Sequence, residues 1–116
     1  MANSKDNLID LEDFRAQNAK IKSMVFTGRD RGIDIRKRSR IDEIASQYDN
    51  VIIVIPDDIM SINPSFFEEL LRNVVKKYGK EGFEQKFDVR CNGDYNFHKP
   101  LSEAIQRILK DDSAIG

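Results

Sequence analysis

The stretch that most constrains this chain is the apolar run Val51-Ile52-Ile53-Val54-Ile55, together with the turn and helix that come after it. The run is apolar on both faces, which predicts a central strand covered on both sides or a strand in a tight core. Pro56-Asp57-Asp58 stops it. A polar turn, Ser61-Ile62-Asn63-Pro64-Ser65, then opens a helix. A helix N-terminus has unpaired N–H groups and a positive dipole end, so the turn suits binding or carrying a negative group.

The helix after the turn has the clearest pattern. Phe66, Phe67, Leu70, Leu71, Val74, Val75 and Tyr78 form one apolar face. Glu68, Glu69, Arg72, Asn73, Lys76 and Lys77 form the other, which is expected to face solvent. Acidic residues open the helix and basic ones close it, as the dipole favours. Gly79 and Gly82 are expected to stop it.

Elsewhere, Leu8-Ile9-Asp10-Leu11 reads as a short first strand and Ser23–Thr27 as the next. Glu12 to Lys22 reads as a loop or a helical turn. Gly28 and Gly32 bracket Arg29-Asp30-Arg31, which reads as loop. Ile35, Ile41, Ile44, Ala45 and Tyr48 recur at helical spacing. Ser39 with Asp42 could cap a helix inside that stretch, or a longer helix could start near Gly32. Lys86 to Cys91 alternates as a half-covered strand. Asn92-Gly93-Asp94 is a turn, and Pro100 marks the first position of a last amphipathic helix. The order β, β, α, β, α, β, α implies crossover connections and some parallel pairing.

At 116 residues, the chain fits one domain with a real core. A net charge of −1 provides no global attraction to nucleic acid or acidic membranes. No apolar run approaches the roughly 20 residues that span a bilayer. The polar N-terminus lacks an apolar signal core, and the single cysteine, Cys91, suits a reducing compartment. A cytoplasmic protein is expected. Cys91 and His98 are too few for a zinc site, so no metal is expected. No nucleophile–base pair, P-loop or other phosphate cradle is recognisable, so neither an enzyme nor a cofactor is expected. Adjacent Asp57 and Asp58 read as turn residues rather than a magnesium site.

Two segments remain as binding candidates. The basic segment Arg29, Arg31, Arg36, Lys37, Arg38 and Arg40 could meet phosphate groups or an acidic protein. It has no interleaved aromatic residue and reads more simply as a solvated face. The other segment is the turn. Ser65 with Glu68 fits a capping box, and Asn63 with Pro64 is a competing cap. Either cap has only backbone donors to satisfy. The alternative is a regulated hydroxyl on Ser65, whose phosphate would add close to two negative charges.

Three stretches carry a resemblance to a known family: Gly28-Arg29 through Gly32 to Arg36; Val51 to Ile55 with Ser61 to Leu70; and Gly82-Phe83 leading to Phe87-Asp88-Val89 and Asn92. Over roughly residues 23–110 the chain resembles the STAS domain of anti-sigma-factor antagonists, and more closely the STAS-like family of bacterial domains. In STAS antagonists the turn reads Asp-Ser-Ser-Gly and its second serine is phosphorylated. The matching residues are Asn63, Pro64, Ser65 and Phe66, so Ser65 falls on the phosphoacceptor position while the other three differ. The resemblance implies an α/β fold with a mixed four-stranded sheet and about three helices, mainly on one face. On this division, residues 1–22 precede the domain, 23–110 form it, and 111–116 are a frayed tail. It also implies a non-catalytic regulatory module that switches protein partners, usually kinase-like ATP-binding regulators. The expected partner surface is Ser61, Asn63, Ser65, Glu68, Glu69 and Arg72. Alternatives are a nucleic-acid-associated factor using residues 29–40, or a phage or mobile-element inhibitor on the same scaffold.

Overall fold

The computed structural model describes residues 6–15, 17–18, 21–22 and 25–115, with side chains described over 6–15 and 25–111. The strands are β1 Leu8–Asp10, β2 Gln17–Asn18, β3 Ile21–Lys22, β4 Val25–Phe26, β5 Val51–Ile55, β6 Ser61–Ile62 and β7 Phe87–Cys91. The helices are α1 Arg29–Ser39, α2 Ile41–Gln47, α3 Pro64–Lys86 and α4 His98–Ile115. A short 3-10 turn, Leu11–Phe14, follows β1.

The protein is α/β, but the expected single four-stranded mixed sheet is not what forms. Three parallel strands lie in the order β1-β5-β7, while β4 and β6 make a separate parallel pair and β2 and β3 an antiparallel one. The break has a local cause. Pro56 has no N–H to extend the ladder, and Ile59 folds back onto its carbonyl at 3.4 Å. The chain therefore leaves the sheet and pairs again only at Ser61 and Ile62, now with β4.

β5 is the central strand, as its apolar run predicts, but its two faces are not equally covered. Val51, Ile53 and Ile55 are fully buried, while Ile52 and Val54 are half-buried. The register puts Ile9 and the row Phe87, Val89 and Cys91 on the same face as Val51, Ile53 and Ile55. Asp88 and Arg90 share the opposite face with Ile52 and Val54 and are exposed. The core joins the covered face to Phe66, Phe67, Leu70, Leu71, Val74 and Val75 of α3 and to Ala104, Ile105 and Ile108 of α4.

α3 is the organising helix, and α1 and α4 make its most extensive helix contacts. At its crossing with α1, a Cβ built on Gly32 would lie 2.5 Å from the Phe66 carbonyl oxygen and 2.9 Å from the Glu69 Cβ. Only a bare α-carbon permits that approach. Gly79 stops the first helical run of α3 as expected, but a second run follows it directly. It adopts φ 75 and ψ 175, kinks the helix, and the chain resumes helical structure to Lys86. Gly82 lies inside that second part.

Several boundaries differ from the sequence reading. Arg29, Asp30 and Arg31 are helical rather than loop. Ser39 is not a cap; it ends α1, and Arg40 adopts a left-handed conformation (φ 59) that breaks α1 from α2. The last helix begins at His98, two residues before Pro100, and continues through Ile115, past the expected frayed tail at Asp111. The expected second strand contributes Val25 and Phe26; its Ser23 and Met24 lie outside the described residues. The described helices are therefore four rather than about three.

Candidate functional site

The turn before α3 is held from three sides. Asn63 donates its backbone N–H to the Phe26 carbonyl of β4 at 2.9 Å. The Ile62 N–H donates to the Tyr95 hydroxyl at 3.0 Å, and that hydroxyl donates back to the Ile62 carbonyl at 3.4 Å. Tyr95 thus stands where a further strand would satisfy β6. On the helix side, the Asn63 carboxamide oxygen accepts from the Ser65 N–H at 2.9 Å and from the Ser65 hydroxyl at 2.8 Å. Pro64 occupies the first turn, where no N–H is required.

Of the two capping readings, the structure forms the one centred on Asn63. The Ser65–Glu68 box does not form, because Glu68 is buried and turned to arginines. Ser61 and Asn63 are exposed, and Ser65 is half-buried. Beside them lie the two exposed large apolar side chains among the described residues, Val25 at 42% and Met60 at 70%. Val25 is the register partner of Ser61, and Met60 precedes Ser61 directly. One small surface therefore combines apolar side chains, a serine and a helix end.

Glu68, Glu69 and Arg72 do not form the solvent face assigned to them. Glu68 is 3% and Glu69 8% exposed. Their face of α3 is covered because α1 and α4 pack on either side of it. Arg72 reaches Glu68 and Glu69 at 3.1 Å each. Arg29 lies 2.9 Å from Glu69 and 3.3 Å from Glu68. Arg36 donates to the Glu69 backbone carbonyl at 2.6 Å, and Arg107 of α4 approaches Glu68 at 3.8 Å. Burial raises the Glu69 pKa, but hydrogen bonds from Arg72 and Arg29, and their charges, outweigh it, so the carboxyl titrates below its ordinary value. Buried carboxylates need this compensation, because charge in a dry interior is costly. The network fastens α1 and α4 to α3.

Four of the six residues of the basic segment have carboxylate partners, two of them in this network and two in exposed pairs. Arg29 and Arg36 face Glu69, Arg38 pairs with Asp34 at 3.1 Å, and Arg40 with Glu43 at 2.6 Å. Arg31 and Lys37 alone of the six have no such pair among the described residues. Around the start of α1 a wide-open concavity of about 590 Å³ is lined by Thr27 to Arg31 and Asp34. Two arginines and two aspartates line it, so its formal charges balance.

Asp58, Cys91 and His98 have structural partners. Arg15, itself buried, holds Asp58 at 2.8 Å. Cys91 points at the Pro56 carbonyl at 3.9 Å. His98 packs its ring near Phe97, and its backbone N–H donates to the Asn96 side chain at the start of α4. No group of metal-ligating side chains occurs among the described residues. Nor is any described helix long and apolar enough to cross a membrane. Tyr95 was not visible as a site residue: a lone tyrosine in a loop gives no sign of which strand it will complete. No family model, curated protein or solved structure matches the chain.

Proposed function

We propose that this chain is a non-catalytic regulatory module of STAS-like type, which binds another protein through the surface Val25, Met60, Ser61 and Asn63. The observation that carries the proposal is the placement of Val25 and Met60. Exposed apolar side chains scattered singly are ordinary, but these two flank the same exposed turn. The turn is rigidly presented by β4, Tyr95 and the Asn63 cap, so binding it costs little ordering entropy. The STAS resemblance supplies the partner class, a kinase-like ATP-binding regulator, and assigns Ser65 as the acceptor. A phosphate on Ser65 would displace its hydroxyl from Asn63 and put charge beside the apolar pair, weakening a contact made there.

Affinity purification of the native chain and of a Ser61→Arg/Ser65→Arg variant, both checked for folding, tests the surface. The variant is expected to recover a specific partner at least about tenfold less, a loss of about 1.4 kcal/mol. Equal recovery would remove the turn as the interface. Intact mass of protein from its own cell tests the switch. A phosphate on Ser65 in some growth state is expected, and an unmodified mass in all states contradicts it.

A further inference from the structure

β7 is an edge strand: β5 pairs with one side of it, and no described strand pairs with the other. The direction of its free groups follows from one bond. The Asn92 N–H donates to the Ile55 carbonyl at 3.0 Å, so the strand groups of Asp88 and Arg90 also turn towards β5. By alternation, those of Phe87, Val89 and Cys91 turn outward. The Phe87 N–H is taken by the Phe83 carbonyl as the cap of α3. The Val89 N–H and carbonyl, the Cys91 N–H and the Phe87 carbonyl are left on the edge.

The side chains add a pattern that complements itself. Asp88 and Arg90 are both exposed, on the open face of the sheet, with Arg90 Nη2 2.6 Å from Asp88 Oδ2. Charged residues on an edge usually discourage pairing. Here the signs discriminate between registers. An in-register parallel copy would set aspartate against aspartate and arginine against arginine. An antiparallel copy centred on Val89 sets Asp88 against the second copy's Arg90, and Arg90 against its Asp88. These are non-hydrogen-bonded pairs, the class in which cross-strand side chains come closest. The four charges would then alternate around a rectangle. The same register pairs Val89 with Val89 through both of its outward groups, and Cys91 N–H with the Phe87 carbonyl.

The helix side of this edge is also prepared. A groove of about 220 Å³ beside β7 is lined by Phe83, Phe87, Val89, Phe97, Leu101 and Ile105, among others. A second copy's strand would extend the sheet beneath it and gain apolar cover. The two-fold axis lies perpendicular to the sheet, so both helix layers stay on one side and the contact closes on itself.

We propose that a second copy of this chain docks antiparallel on β7, through backbone pairing centred on Val89 and two Asp88–Arg90 ion pairs between copies. This surface is separate from the turn before α3. Sedimentation equilibrium from micromolar to millimolar chain concentration tests it, with circular dichroism confirming that each variant is folded. The native chain is expected to dimerise. Asp88→Arg and Arg90→Asp should each weaken self-association at least about tenfold, because each sets like charges opposite one another. An equimolar mixture of these two variants should form a heterodimer, since the arginine pair of one edge then meets the aspartate pair of the other. A native chain monomeric throughout, or a native dimer indifferent to both substitutions, would overturn the proposal. So would a mixture that associates no better than its components. Val89→Pro removes an outward N–H and no hydrogen bond to β5, so where circular dichroism shows it folded it should be monomeric; a dimer of native strength would place the contact elsewhere.

Discussion

A few single residues carry the turn before α3. Asn63 satisfies the Ser65 N–H of α3 with its side chain and ties the turn to β4 with its backbone. Asn63→Ala should lower stability by about 1 kcal/mol, the usual cost of a lost N-cap, measurable in a urea titration. Tyr95→Phe should cost about 1 kcal/mol and speed hydrogen exchange at Ile62, because the hydroxyl is the Ile62 N–H acceptor. Arg72 is the largest single test. Removing it would leave two buried carboxylates short of charge, so Arg72→Ala should cost about 3 kcal/mol. A cap at this turn was legible in the sequence, but the choice of Asn63 over the Ser65–Glu68 box was not, because it depends on where Glu68 is buried. The burial of Glu68 and Glu69 was not legible either. Periodicity puts them opposite the apolar face, but it cannot reveal that α1 and α4 cover that opposite flank as well.

At the scale of elements, strand β5, the amphipathic α3 and the alternating β7 follow from their apolar periods. The breaks between elements were harder to read. Glycine marks both a stop and a close crossing, and only the neighbour decides which. Gly32 sits under α3, so Gly32→Ala must push α1 and α3 apart and should cost about 2 kcal/mol in chemical denaturation. Gly79 meets nothing within 4 Å, so its constraint is backbone conformation alone. Its φ and ψ lie in a region reserved for glycine, and a side chain there should cost on the order of 1–3 kcal/mol. The division of the strands into β1-β5-β7 and β4-β6 was likewise hidden, because both pairings are long-range and their apolar patterns are alike.

For the whole molecule, the buried arginine–glutamate network links stability to pH. The Glu69 carboxyl titrates below its ordinary value of 4.5, so it favours the folded state wherever both states are ionised. That contribution is present above pH 4.5 and disappears as pH falls through the lower, folded-state value. Urea midpoints should therefore fall with acidification in this window, and Glu69→Gln should flatten the slope. A steep slope retained in the variant would assign the effect to other carboxylates. The same network takes Arg29 and Arg36 from the basic segment, and exposed pairs with Asp34 and Glu43 balance Arg38 and Arg40, so the chain presents its most distinctive surface at Val25, Met60 and the Ser61–Asn63 turn. The most direct test is site-specific photo-crosslinking in the cell that makes the protein, with the probe at Met60 or at the remote, exposed Lys76. A discrete protein crosslink from Met60, absent from Lys76, is the predicted result. No crosslink from Met60, or the same product from both positions, would contradict it.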